Sequence, residues 1–115
     1  MHSIITDYEN ISVISGRPAE CKHHLLSGTS MRRLADEDGL FIPLTNDEHN
    51  LSSKGTINQI HGNPIAESLC KMLGQMAWER MELLKMLSEI DGQDKEQISA
   101  DIRKKFMKRY GKGFL

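Results

Sequence analysis

The residues in this chain best suited to chemistry are its histidines, five in all, of which His23, His24, His49 and His61 fall in the first half. His23 and His24 are adjacent, and neighbours on a strand point to opposite faces, so one imidazole can hold a metal ion while the other addresses a phosphate. His49 and His61 supply further nitrogen donors. Three imidazoles leave coordination positions open for water and phosphate oxygens, as a catalytic metal site requires. An adjacent pair plus two scattered histidines also arises by chance, and spacing alone does not choose between these readings. His2 has no place in the constellation.

The elements that would position these groups fall into three zones of one domain, residues 1–115. Across residues 11–62 short apolar runs (Ile11 to Ile14, Leu40 to Leu44) are broken by glycines and prolines, the texture of short strands and long loops. A long helix is expected over 63–91: Asn63 is a good N-cap, Pro64 suits the first helical position and Glu67 the first turn. Ile65, Leu69, Met72, Leu73, Met76, Leu83, Leu84 and Leu87 recur at spacings of three and four, an apolar stripe read as facing the core. Its methionines are read as core filler, with a partner-binding face as the alternative. Asp91-Gly92 is the expected stop. A basic helix and tail follow over 95–115, with Ile98, Ile102 and Phe106 on one side. The fold class is therefore α+β.

Composition narrows the function classes. The net charge is −1, which excludes a surface that is basic throughout, so any nucleic-acid contact must be local. Between Arg103 and Leu115 there are six basic residues and no acidic one. Near the histidines, Asp36, Glu37, Asp38, Asp47 and Glu48 oppose them. The two cysteines, Cys21 and Cys70, have no CxxC partner and read as free thiols in a reducing compartment. No apolar run approaches the ~20 residues needed to cross a bilayer, and the first ten residues lack signal-peptide character, so a soluble, non-exported protein is expected.

The stretch SGRPAECKHHLLSGTSMRRLADEDGLFIPLTNDEHN, followed by IHGNP, GQMAWE and FMKRYGKGFL, resembles a family of small phage and prophage HNH endonucleases. The resemblance runs from about residue 11 to the C-terminus. It implies a ββα-metal hairpin followed by the two helices, and metal-dependent hydrolysis of DNA phosphodiester bonds in a bacterial host's cytoplasm. It makes His24 the general base and His23, His49 and His61 the ligands of one divalent ion, Mg²⁺ or a transition ion such as Mn²⁺, Ni²⁺ or Zn²⁺, with Asn50 a substitute or supporting group. A divalent ion there offsets negative charge on the phosphate and the leaving 3′ oxygen.

Two departures stand out. Many relatives carry a zinc knuckle of two CxxC pairs, whose places here are taken by Ser12, Ser15, Thr45 and Glu48, so no structural zinc is expected and packing of Val13, Ile14, Phe41, Ile42 and Leu44 on the long helix must serve instead. The Asn that positions the base in many members falls at Leu40. Asp38 or a backbone carbonyl is the candidate replacement for orienting His24.

Arg32 and Arg33 are placed near the phosphate path, and Lys104, Lys108 and Arg109 can track a second stretch of DNA backbone. Gln75 and Glu79, one turn apart, can bond to each other or to the metal-site loop, and Trp78 is read as packing on the hairpin. A homodimer would be needed for paired cuts, and the Met-rich helix offers one surface. The competing reading is a scaffold that no longer cuts and instead binds a host defence or recombination protein through its acidic face. A nonenzymatic DNA-binding module is the third.

Overall fold

A computed structural model describes residues 1–28, 30–51, 60–87 and 94–115. The architecture is α+β. Strand β1 (Cys21–His24) pairs antiparallel with β2 (Phe41–Leu44), and helix α1 (Met31–Asp38) lies between them in the chain. A π-helical turn, Asp47–Leu51, follows β2, and then come α2 (Pro64–Met86) and α3 (Lys95–Tyr110). In the register His23 faces Ile42 and His24 faces Phe41.

Both strands of a two-stranded sheet have a bare outer edge. Here the N-terminal segment covers that of β2: Ser3 Oγ donates to the Phe41 carbonyl at 2.7 Å, and the Val13 N–H to the Pro43 carbonyl at 3.1 Å. Pro43, which has no N–H to give, fits a strand that is completed in this way. All four β2 residues are buried.

Helix α1 is absent from the strand-and-loop expectation for residues 11–62. It is stopped by Gly39, whose φ of 74° is the left-handed conformation a helix C-terminus uses, and whose N–H returns to the Ala35 and Asp36 carbonyls. A side chain at Gly39 would also collide with the His2 carbonyl.

Helix α2 begins as expected, with the Asn63 side chain accepting from the Ala66 N–H at 3.2 Å. Its stripe is another matter. Ile65, Leu69, Met72, Leu73, Met76, Leu83, Leu84 and Leu87 are exposed rather than turned to the core. The face that packs inward is instead Gly74, Gln75 and Trp78. Gly74 is what allows the approach, since a Cβ there would meet Leu25 and Leu26 side-chain atoms at 3.2 Å. Of the methionines, Met86 does pack against the core.

Two clusters result. Leu26, Ala35, Leu40, Trp78, Ile98, Ile102, Phe106 and Tyr110 join the helices, and Leu25, Ile42, Leu44 and Ile60 lie beneath the sheet with Ala66 and Cys70 of α2 beside them. Trp78 packs chiefly on α3, edge-on to Phe106 with ring centroids 5.5 Å apart. Val13 and Ile14, expected to pack on the long helix, are exposed, and Ile11 makes only an isolated bridge to Pro18. The stop read at Asp91-Gly92 and the side chain of Asn50 lie outside the described residues. Among the described residues no helix is long and apolar enough to cross a membrane.

Candidate metal centre and its cleft

The three distant histidines converge. His23 comes from β1, His49 from the π-helical turn, and His61 from the segment leading into α2. Backbone pairing brings the last two together: the Ile60 N–H donates to the Glu48 carbonyl at 2.9 Å and the His61 N–H to the His49 carbonyl at 3.1 Å. Ring centroids are 5.2 Å apart for His23–His49, 4.9 Å for His23–His61 and 4.6 Å for His49–His61. One nitrogen of each ring lies within 4.8 Å of those of the other two. Metal–nitrogen bonds of about 2.1 Å place ligand nitrogens roughly 3–4 Å apart, so the nitrogens farthest apart need to close by about 1–2 Å to share one ion.

Electrostatics favour neutral donors. Burial, with the neighbouring His61, His49 and His24, pushes the His23 imidazole down to about 3, and burial also lowers that of His49. Neutral rings offer the lone pairs that coordination uses. His23 is only 2% exposed, and its Nδ1 has no hydrogen-bond partner among the described residues. Leaving such a nitrogen unpaired is destabilising by about 1–3 kcal/mol. A protein that merely stored a histidine in its core would be expected to give it a partner. His61 Nδ1 lies 3.3 Å from Glu67 Oε1 of α2, a carboxylate placed to orient a ligating imidazole.

His24 stands beside this cluster on the alternate side of the strand. Its Nε2 is 3.0 Å from Asp36 Oδ1. An ionised carboxylate only accepts, so Nε2 carries the proton and Nδ1 of the neutral ring keeps its lone pair. The bond to His24 is the main reason Asp36 sits below the ordinary carboxylate range. Asp36, rather than Asp38 or a carbonyl, is therefore the group that orients His24. Sequence reasoning missed it because the pairing spans twelve residues and depends on α1 being helical.

Asp38 serves elsewhere, accepting from Trp78 Nε1 at 3.0 Å, Tyr110 Oη at 2.8 Å and Arg109 Nε at 2.6 Å. Burial, then the bond to Asp38, raises the Tyr110 phenol above its usual range, and the same carboxylate raises Arg109. Arg109, read from the sequence as a DNA contact, is thus clamped to Asp38 and Glu37.

Ser12, Ser15, Thr45 and Glu48, the positions expected to stand in place of a zinc knuckle, meet as a hydrogen-bonded knot. Glu48 Oε1 accepts from Ser12 Oγ at 2.6 Å and from the Thr45 N–H at 2.8 Å, and Ser12 Oγ accepts from the Ile14 and Ser15 N–H groups. Burial would raise the Glu48 carboxyl, but the bonds from Ser12, Thr45 and Ser15 outweigh it and hold the group down to about 2. The knot fixes the residue immediately before His49.

His24, His49, His61, Arg32 and Lys22 open onto one cleft of about 420 Å³. Arg33 is paired with Glu37 at 2.8 Å and lines a neighbouring hollow with His24, Arg32 and Asp36. Lys104 and Lys108 are exposed on α3. Gln75 and Glu79 bond to each other at 2.7 Å, and Gln75 also accepts from the Phe114 N–H, tying the tail to α2. Comparison with protein-family models, with curated proteins and with solved structures returns no match.

Proposed function

We propose that this chain is an HNH-type endonuclease, a ββα-metal protein that hydrolyses DNA phosphodiester bonds. The observation that carries the reading is the convergence of His23, His49 and His61 on one point, with His24, held by Asp36 from behind, lining the cleft onto which His49 and His61 open. The unpartnered, buried Nδ1 of His23 and an all-imidazole donor set fit a transition-type divalent ion. Such an ion, when bound, supplies charge stabilisation to the phosphate and the departing oxygen.

The chain's own groups do the rest. His24 Nδ1 takes the proton from an attacking water, and Asp36 holds the ring in that tautomer and stabilises the imidazolium that forms. Arg32 reaches a phosphate oxygen across the cleft, and Lys104 and Lys108 offer sequence-independent backbone contacts. A DNA substrate and the cytoplasm of a bacterial host as its setting belong to this proposal.

The acidic residues that suggested a host-protein face are largely committed internally. Asp36 holds His24, Glu37 holds Arg33 and Arg109, Asp38 ties three helices together, and Glu48 closes the knot. That weakens the competing reading. The test is nicking of supercoiled plasmid with Mg²⁺ or Mn²⁺ by the wild type and by His24→Ala. The proposal expects the variant to lose activity while still binding metal, and equal nicking by both sinks it.

A further inference from the structure

We propose that the exposed apolar face of α2 is a homodimer interface, in which two copies of this chain pair their α2 helices antiparallel about a two-fold axis through Met76. The inference is independent of the nuclease reading. Ile65 is 74% exposed, Leu69 60%, Met76 58% and Leu87 55%. At 100° per residue the whole stripe falls within an arc of about 120°, centred opposite Trp78, so the apolar stripe of α2 lies on the side turned away from the core. It runs for about 33 Å. Scattered exposed leucines need no explanation, but a continuous stripe of this length does.

The spacing selects the occupant. An isologous interface requires that residue i of one copy meet residue j of the other, and j meet i. Counted from Met76, five of the eight apolar positions are symmetric: Ile65 and Leu87 lie eleven residues to either side, Leu69 and Leu83 seven, while Leu73 and Leu84 fall opposite Glu79 and Ser68 on one flank. An antiparallel pair therefore sets Ile65 on Leu87, Leu69 on Leu83 and Met76 on itself. Charge agrees with this arrangement. The one charged residue inside the arc, Arg80, has no ion pair among the described residues, and the register lays its aliphatic stem over Met72 of the second copy. The two copies of Arg80 then stand about 12 Å apart along the axis, too far to oppose pairing.

The area suffices. Eight side chains left about half exposed, at roughly 60–120 Å² of apolar surface each when fully bared, offer about 250–500 Å² per copy. With a polar rim of ordinary proportion this becomes about 400–750 Å², against the ~500 Å² per partner that a specific interface needs. The groove of about 720 Å³ between α2 and α3, walled by Leu83, Leu87 and Ile102, adjoins the stripe and offers further apolar surface.

Sedimentation equilibrium at micromolar concentration tests the pairing. The wild type is expected at twice the monomer mass, Met76→Glu at the monomer mass with unchanged circular dichroism, and the control Lys104→Glu as a dimer. Orientation is read with a short bis-maleimide in a Cys21→Ser, Cys70→Ser background. Met76→Cys should link to itself, whereas Ile65→Cys should link only when mixed with Leu87→Cys. A monomeric wild type would overturn the proposal. So would a dimeric Met76→Glu, or self-linking of Ile65→Cys, which means parallel helices.

Discussion

Replacing Glu48 by Gln keeps its size and removes its charge, and the knot around it allows the effect to be worked out. The carboxylate accepts a short bond from the Ser12 hydroxyl at 2.6 Å and one from the Thr45 N–H at 2.8 Å. Hydrogen bonds to a charged acceptor contribute about 1.5–3 kcal/mol each. A second route reaches a similar figure: a folded-state value of about 2 against the ordinary 4.5 corresponds to roughly 3 kcal/mol at neutral pH. Because the folded value is depressed, this stability is fully present above the unfolded value and is lost as pH falls from about 4.5 towards 2. Glu48→Gln should therefore be destabilised by about 2–3 kcal/mol at pH 7, lowering the urea midpoint by about 1–2 M. The gap from wild type should narrow on acidification through that window, since the amide cannot titrate. Equilibrium urea unfolding at neutral pH and near pH 3 provides the assay. A variant within about 0.5 kcal/mol of wild type, or a gap of constant size at both pH values, would refute the reasoning.

Asp36→Asn should reduce plasmid nicking about 10–100-fold while leaving metal affinity unchanged, because the residue acts through His24 and not on the ion; parallel nicking and metal titrations check this. Zn²⁺ or Ni²⁺ at a hundred times its dissociation constant should stabilise the wild type by about 2.7 kcal/mol, visible as a rise in Tm. His23→Ala should abolish that rise and EDTA should reverse it, with calorimetry as the readout. Asp38→Ala leaves Trp78 Nε1, Tyr110 Oη and Arg109 without their shared acceptor and should be destabilised by about 3–5 kcal/mol, more than Arg33→Ala at an exposed i,i+4 pair, which should change stability by less than 1 kcal/mol. Thermal unfolding of the two variants separates these outcomes.

The helices with strong local signals were legible in the sequence. Asn63-Pro64 opened α2, and the Ile98, Ile102, Phe106 spacing described the buried side of α3. Helix α1 was not read, although Gly39 after an eight-residue run with an Arg33–Glu37 pair was a usable signal. The inward face of α2 was misread for a physical reason. Its contact with Leu25 and Leu26 depends on the smallest residue, Gly74, and on a polar one, Gln75, so hydrophobic periodicity pointed to the opposite side. At the site, the three histidines that gather were all named from the sequence, although their spacing alone did not select them. Asp36 and the Ser12–Glu48 bond lay beyond reach, because each joins segments whose separation only the folded chain sets.

Asp36 and Asp38 stand two residues apart on α1 and face different tasks, one steadying an imidazole at the cleft and the other anchoring the helix to α2 and α3. The C-terminal helix is thereby part of the mechanical support of the His24 ring, although it contributes no atom to the cleft lining. Shortening the chain before Arg109, or fusing a bulky tag against Tyr110, would disturb His24 from the far end of the molecule. On the proposed nuclease reading, a loss of cleavage in such a truncation would therefore report on a slackened brace as readily as on a missing DNA contact.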